Sequence, residues 1–136
     1  SMICGTGCDI VEVGRFKKHC TDTNFIERYF NKEEISFLEP KEILEADESK
    51  MQSAAERLAA RFAVKESFGK ALGTGIKQFS LTEVYIVNNK DGKPEVKLCG
   101  NAEQILAEKY GNDCKIHVSI SHEKENALAF LIIERD

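Results

Sequence analysis

In the run Arg61-Phe62-Ala63-Val64-Lys65-Glu66-Ser67-Phe68-Gly69-Lys70-Ala71-Leu72-Gly73-Thr74-Gly75, one acid and two lysines sit just ahead of a glycine-rich turn. The apolar spacing reads as an amphipathic helix. At about 3.6 residues per turn, Glu66 and Lys70 share a face with Ala55, Ala59, Phe62, Ala63 and Gly69. The opposite face, with Ala60, Val64, Phe68 and Ala71, is apolar too, so most of the helix is expected to be buried. A carboxylate in such a place stays ionised only beside a cation, a metal or several hydrogen bonds. An i,i+4 Glu–Lys pair on a wetted face is the competing reading. The small residues around Glu66 and the Gly73-Thr74-Gly75 that follows favour a metal or phosphate site.

The N-terminus supplies a second acid. Ile3-Cys4-Gly5-Thr6-Gly7-Cys8-Asp9-Ile10-Val11 reads as a short apolar strand with Asp9 near its end, although a turn or helix-capping aspartate fits the same letters. Glycine inside a strand marks close approach by a ligand or another backbone. Two half-buried acids far apart in sequence are the minimum for a hard divalent cation. Magnesium takes one or two carboxylates and fills its other positions with phosphate and water. A third cluster, Lys115-Ile116-His117-Val118-Ser119-Ile120-Ser121-His122, alternates as a half-buried strand does and places His122 at the strand end. A surface or capping histidine is the plainer reading of that position.

The elements that must position these groups follow from pattern and punctuation. A strand over 3–9 leads to helices near 13–20 and 24–30. Asn31, with Glu34 three residues on, opens a short helix through Leu38 that Pro40 stops. The polar stretch 45–52 is read as an exposed extension of the long helix, which runs to about residue 72. Leu81 to Val87 is a strand, Asp91-Gly92 a hairpin turn and Glu95 to Leu98 the return strand. Asn101 is the expected cap of a helix that Gly111 ends. The strand ending at His122 pairs with Ala127 to Ile133 in a last hairpin. Paired strands around one long helix predict an α+β fold with an antiparallel sheet, in a single domain over 1–136.

With 136 residues, 42% of them hydrophobic, the chain has enough apolar material for one core. No stretch is long and apolar enough for a membrane span, and no basic-then-apolar leader is visible. Five cysteines without a Cys-x-x-Cys pair argue against zinc or a disulfide framework and for reduced thiols in the cytosol. Net charge is −4, yet Arg15, Lys17, Lys18, His19 and Arg28 are gathered early while 39–48 is acidic. A local basic face on an acidic protein suggests a small acidic partner and not nucleic acid, against the plainer reading of a solvated helix face.

Taken together, the segments resemble holo-acyl-carrier-protein synthase, the small bacterial type of 4′-phosphopantetheinyl transferase. The resemblance is carried by Gly5-Thr6-Gly7-Cys8-Asp9-Ile10 and by Arg61-Phe62-Ala63-x-Lys65-Glu66-Ser67-x-x-Lys70-Ala71-Leu72-Gly73-Thr74-Gly75. Lys93-Pro94 after the Asp-Gly turn and His117-Val118-Ser119-Ile120-Ser121-His122 complete it in the same order. The segment 41–52 is longer and more acidic than the family's usual one.

The resemblance implies transfer of 4′-phosphopantetheine from coenzyme A to a serine of an apo-acyl carrier protein, serving fatty acid biosynthesis in the cytoplasm. It implies Mg2+ on Asp9 and Glu66, and phosphate or nucleotide contacts from Lys65, Lys70, Gly73, Thr74, Gly75, Lys93 and Pro94. Asp9, Glu66, Lys70 and His122 become the catalytic set, with the proton acceptor left open among His122, an acid and metal-bound water. Arg15, Lys17, Lys18 and Arg28 become the carrier-docking patch. A homotrimer is implied, with sites shared between neighbours and Arg61 or Arg28 crossing the interface. Two other classes use some of the same residues. One is a magnesium-dependent hydrolase of nucleotide diphosphates, the other a non-catalytic coenzyme A-binding module.

Overall fold

The longest helix organises everything else in the computed structural model, which describes residues 1–136. This helix, α4, spans Glu48–Leu72. It follows β1 (Met2–Glu12), α1 (Gly14–His19), α2 (Thr23–Tyr29) and α3 (Lys41–Ala46). After it come β2 (Val84–Asn88), β3 (Pro94–Leu98), α5 (Gly100–Tyr110), β4 (Cys114–His122) and β5 (Asn126–Arg135). Both apolar faces of α4 are buried: Ala55, Ala59 and Ala63 on one, Ala60, Val64, Phe68 and Ala71 on the other. Gly73, at φ +81°, stops the helix in the left-handed conformation that glycine adopts without a Cβ penalty.

A three-stranded antiparallel sheet, ordered β1-β5-β4, lies on α4, and β2 pairs with β3 in a separate hairpin. Val11, Ala127, Ala129, Leu131 and Ile133 line the sheet's buried face. The glycines of β1 explain how close strand and helix come. A Cβ on Gly5 would sit 2.0 Å from the Ala71 carbonyl oxygen, and one on Gly7 1.9 Å from that of Ser67. The approach expected at these glycines is therefore by the backbone of α4. On the sheet's outer face, Ile10, Leu128 and Phe130 are 65%, 40% and 42% exposed, an apolar patch left uncovered within one chain.

The α+β class with antiparallel sheets is as expected, and the boundaries differ in four places. Asn31 and Glu34 do form the reciprocal capping box, but it opens only a 3-10 turn at Lys32–Glu34. Residues 41–52 do not simply extend α4. Pro40 initiates α3, Leu44 buries itself in the core, and Asp47 breaks the chain into extended backbone. The Asp47 carboxylate then accepts from the Ser49 and Lys50 amides at 3.0 and 3.2 Å, capping α4. Residues Leu81–Glu83 are a 3-10 turn, with the strand beginning at Val84. Asn101 caps nothing. Helix α5 begins at Gly100, and the Asn101 amide donates to Glu83 Oε2 at 3.0 Å.

Candidate active site

The tight packing of β1 on α4 is what brings Asp9, Glu66 and Lys70 together. Lys70 Nζ donates to Asp9 Oδ1 at 3.0 Å and to the Cys8 carbonyl oxygen at 2.9 Å. An ammonium has three hydrogens, so one is left for an incoming anion, and the Lys70 side chain is 53% exposed. Glu66 is half-buried on the same helix face. Burial raises its carboxyl pKa above the ordinary value and the charge of Asp9 adds to this, while Lys70 and Arg15 pull it back. Two carboxylates that repel each other at the edge of a core are a site a cation relieves. The donor set, two hard oxygen ligands beside a lysine, fits magnesium that completes its shell with phosphate and water.

Lys65 is not part of this arrangement. One residue before Glu66, it turns into the core and is fully buried. Its Nζ donates to Glu34 Oε2 at 2.5 Å, to the Leu81 carbonyl at 2.8 Å and to the Val84 carbonyl at 2.5 Å. All three hydrogens are used, which rules out the expected phosphate contact. Burial lowers its pKa while Glu34 opposes that shift. Arg61 is likewise engaged within the chain. Its Nε donates to the Glu34 carbonyl at 2.8 Å and its guanidinium lies 4.6 Å from the centre of the Phe37 ring. That occupation speaks against its crossing an interface.

The remaining groups lie apart from the Asp9 cluster. Gly73, Thr74 and Gly75 form the turn after α4; Gly75 has φ +69°, and its amide closes back on the Gly69 carbonyl at 3.0 Å. Lys93 and Pro94 line a cavity of about 400 Å³ between β3 and β4 with Lys97, Lys115 and His117, and no member of the Asp9 cluster lines it. His122 Nδ1 lies 2.9 Å from Glu56 Oε1, ten residues before Glu66 in α4. At 1.5 Å rise per residue that is about 15 Å along the helix, so His122 does not reach the Asp9 cluster of its own chain. In the basic patch, Arg15 and Lys18 are exposed, Lys17 pairs with Glu48 at 3.0 Å, and Arg28 lies 5.4 Å from the Tyr29 ring. Arg15 is the patch residue whose charge reaches Glu66.

Two acids, Glu34 and Glu56, have side-chain partners that no sequence pattern indicates. Glu34 was legible as the acid of a capping box, but its second role against Lys65 crosses 31 positions of chain. Glu56 gave no local signal.

The model of the 4′-phosphopantetheinyl transferase superfamily matches residues 5–130 of this chain. The chain belongs to that family. It is 47% identical to the holo-[acyl-carrier-protein] synthase of Treponema denticola over 133 residues, covering 98% of this chain and 99% of the relative. To the synthase of Clostridium tetani it is 40% identical, covering 98% and 97%. Among solved structures it resembles the holo-(acyl-carrier-protein) synthase of Bacillus anthracis in complex with CoA (3′,5′-ADP), with a TM-score of 0.72, 31% identity and full coverage of both chains. The Helicobacter pylori synthase in complex with coenzyme A gives a TM-score of 0.70 at 27% identity, covering 95% of this chain and 99% of that one. No helix of the family fold, as this chain adopts it, is long and apolar enough to cross a membrane.

Proposed function

We propose that the protein transfers 4′-phosphopantetheine from coenzyme A to a serine hydroxyl of an apo-acyl carrier protein, releasing 3′,5′-ADP. The observation that carries this is the meeting of Asp9, Glu66 and the partly free Lys70 in a chain of the transferase family. The pyrophosphate of coenzyme A repels an oxygen nucleophile, so the reaction needs neutralised charge and in-line placement more than covalent help. Asp9 and Glu66 would hold Mg2+, which when bound supplies positive charge to the pyrophosphate oxygens. The spare hydrogen of Lys70 is directed to the same phosphates. Gly73-Thr74-Gly75 offers backbone that a nucleotide can approach without meeting a side chain. Lys93 and Pro94, in a cavity with Lys97, Lys115 and His117, suit an anionic part of the donor. The whole chain, 1–136, acts as one transferase domain in the cytoplasm.

Docking falls to the basic residues Arg15, Lys18 and Arg28, with Lys17 partly neutralised by Glu48. Arg15 links this surface to the site because its charge reaches Glu66. The assembly is a closed homotrimer whose sites are shared between neighbours. Support comes from the uncovered Ile10, Leu128 and Phe130, and from the distance that separates His122 and the Lys93 cavity from the Asp9 cluster in one chain. Mixing and refolding Glu66→Gln with His122→Ala should restore carrier modification well above the residual rate of either variant alone. A monomeric mass in solution at full activity would overturn the shared site. The activity itself is tested by the mass of the carrier after incubation with coenzyme A and magnesium. Release of 3′,5′-ADP without a carrier would mark a hydrolase instead.

A further inference from the structure

At the end of β4, His122 faces α4 through a chain of hydrogen bonds that the transfer reaction does not by itself explain. His122 Nδ1 and Glu56 Oε1 are 2.9 Å apart. The other Glu56 oxygen accepts from Gln52 Nε2 at 2.9 Å, and that nitrogen also donates to the Lys124 carbonyl at 2.9 Å. With an acceptor on each side of it, the Gln52 nitrogen has one assignment, and the amide cannot be turned round. Glu56 is therefore met by donors. Its carboxyl is held below the ordinary carboxylate value by the Gln52 hydrogen bond first; burial opposes this, and the hydrogen bond and charge of His122 add to the lowering. An ionised carboxylate only accepts, so the neutral imidazole carries its hydrogen on Nδ1. The Nε2 lone pair then points away from Glu56, on a side chain 42% exposed beside a carboxylate that is 20% exposed.

Resting on the transferase reading above, we propose that Glu56 is a positioning residue of the reaction: it holds His122 with Nδ1 protonated and Nε2 free to take the proton of the carrier serine. As the serine oxygen bonds to the β-phosphorus of coenzyme A, its proton passes to Nε2. The bond from that phosphorus to the bridging oxygen breaks, and its electron pair leaves with 3′,5′-ADP. The imidazolium formed lies against the Glu56 carboxylate until water takes the proton. Gln52 supports the arrangement one step further out by fixing the second Glu56 oxygen.

The substitution Glu56→Gln tests this, because an amide offers one acceptor oxygen where two donors converge. With the oxygen kept by Gln52, the new amide nitrogen faces Nδ1 and drives the imidazole proton to Nε2. Nitrogen-15 spectra of labelled native protein should show His122 protonated at Nδ1, and Glu56→Gln should move the proton to Nε2. The kcat for carrier modification should fall by about 10- to 100-fold, at or below the roughly 100- to 10,000-fold usual for losing the base itself, and KM for coenzyme A should stay within about twofold. In a His122→Ala background the same substitution should cost nothing more, since Glu56 acts through the ring. A purely structural Glu56 would cost as much there as in the native background, and that result overturns the inference, as does an Nε2-protonated native ring or an unchanged kcat. The native tautomer is read without any substitution, so a variant that fails to fold does not remove the test. Lack of carrier modification by the native protein would sink the transferase reading and this inference with it. A normal native rate with an indifferent Glu56→Gln sinks this inference alone.

Discussion

At Glu66 burial and Asp9 act against Lys70 and Arg15, and the carboxyl ends above its ordinary value of 4.5. An acid whose folded pKa exceeds its unfolded value binds its proton more tightly in the native state. Stability is therefore lost as pH rises from the unfolded value through the folded one, and the loss is complete above the folded value. In metal-free buffer at pH 7 to 8, Glu66→Gln should thus raise the thermal midpoint by a few degrees, and the gain should fade below about pH 4.5. Millimolar magnesium should then stabilise the native protein and leave Glu66→Gln unmoved, because a ligand stabilises only the state it binds. A midpoint lowered at every pH would contradict this account of the site. The same stretch shows what residue types alone convey. Helical spacing puts Glu66 and Lys70 on one face, and they do lie near each other and Asp9. Lys65, about 100° round the helix, faces the core, and its partner Glu34 comes from a turn that no local pattern links to it.

At the scale of elements, the contact of β1 with α4 sets the position of Asp9. The sequence marked Gly5 and Gly7 as points of close approach, but spacing cannot tell a ligand from a backbone, and here it is the carbonyl row of α4. A methyl group at Gly7 would have to displace main chain, since its nearest neighbour is the Ser67 carbonyl. Gly7→Ala should cost about 1–3 kcal/mol in urea denaturation, the usual range for overpacking, and should lower activity further by moving Asp9 off Lys70. Gly14 has nothing within 4 Å of such a methyl group and stands in a helix. Gly14→Ala should be neutral or stabilise by up to about 1 kcal/mol. Equal costs at the two positions would show that the strand–helix contact is not what constrains β1. The limits of the elements were less legible where one residue overrides its neighbours. Asp47 breaks what reads as a continuous helix because its carboxylate caps the next one. The Glu83 carboxylate, 18 positions away, and not the Asn101 side chain, is the partner of the α5 amide at Asn101.

Across the whole molecule, a net charge of −4 conceals a basic first pair of helices and an acidic stretch over 39–48. The three basic residues of α1 are not equivalent, a distinction the sequence could not make. Lys18 is exposed, Lys17 is tied to Glu48, and Arg15 reaches Glu66. Lys18→Glu should raise KM for the carrier by about three- to tenfold at low salt with KM for coenzyme A unchanged, and the defect should shrink as salt rises. Lys17→Glu should do less, having lost part of its charge to the pair already. Arg15→Glu should affect both substrates, because it also removes a cation from beside Glu66. A salt-independent defect at Lys18 would place carrier docking on another face. Fold class and the Asp9–Glu66–Lys70 cluster were within reach of the sequence because each depends on local pattern plus one long-range contact. The separation of His122 and the Lys93 cavity from that cluster was not, since it depends on how strands are ordered in the sheet.

The proposed function requires that Asp9 and Glu66 together hold the cation that lets a carrier serine attack coenzyme A. It is tested most directly by mass spectrometry of an apo-acyl carrier protein incubated with coenzyme A and each of native protein, Asp9→Asn and Glu66→Gln across a magnesium titration. The carrier should gain the mass of one phosphopantetheine group with native protein, in a magnesium-dependent way. Both variants, folded by circular dichroism, should be slower by at least about a hundredfold, as expected when a hard anionic ligand is lost from a metal-assisted phosphoryl transfer. Carrier modified at the native rate by either variant, or equally well without magnesium, would contradict the account.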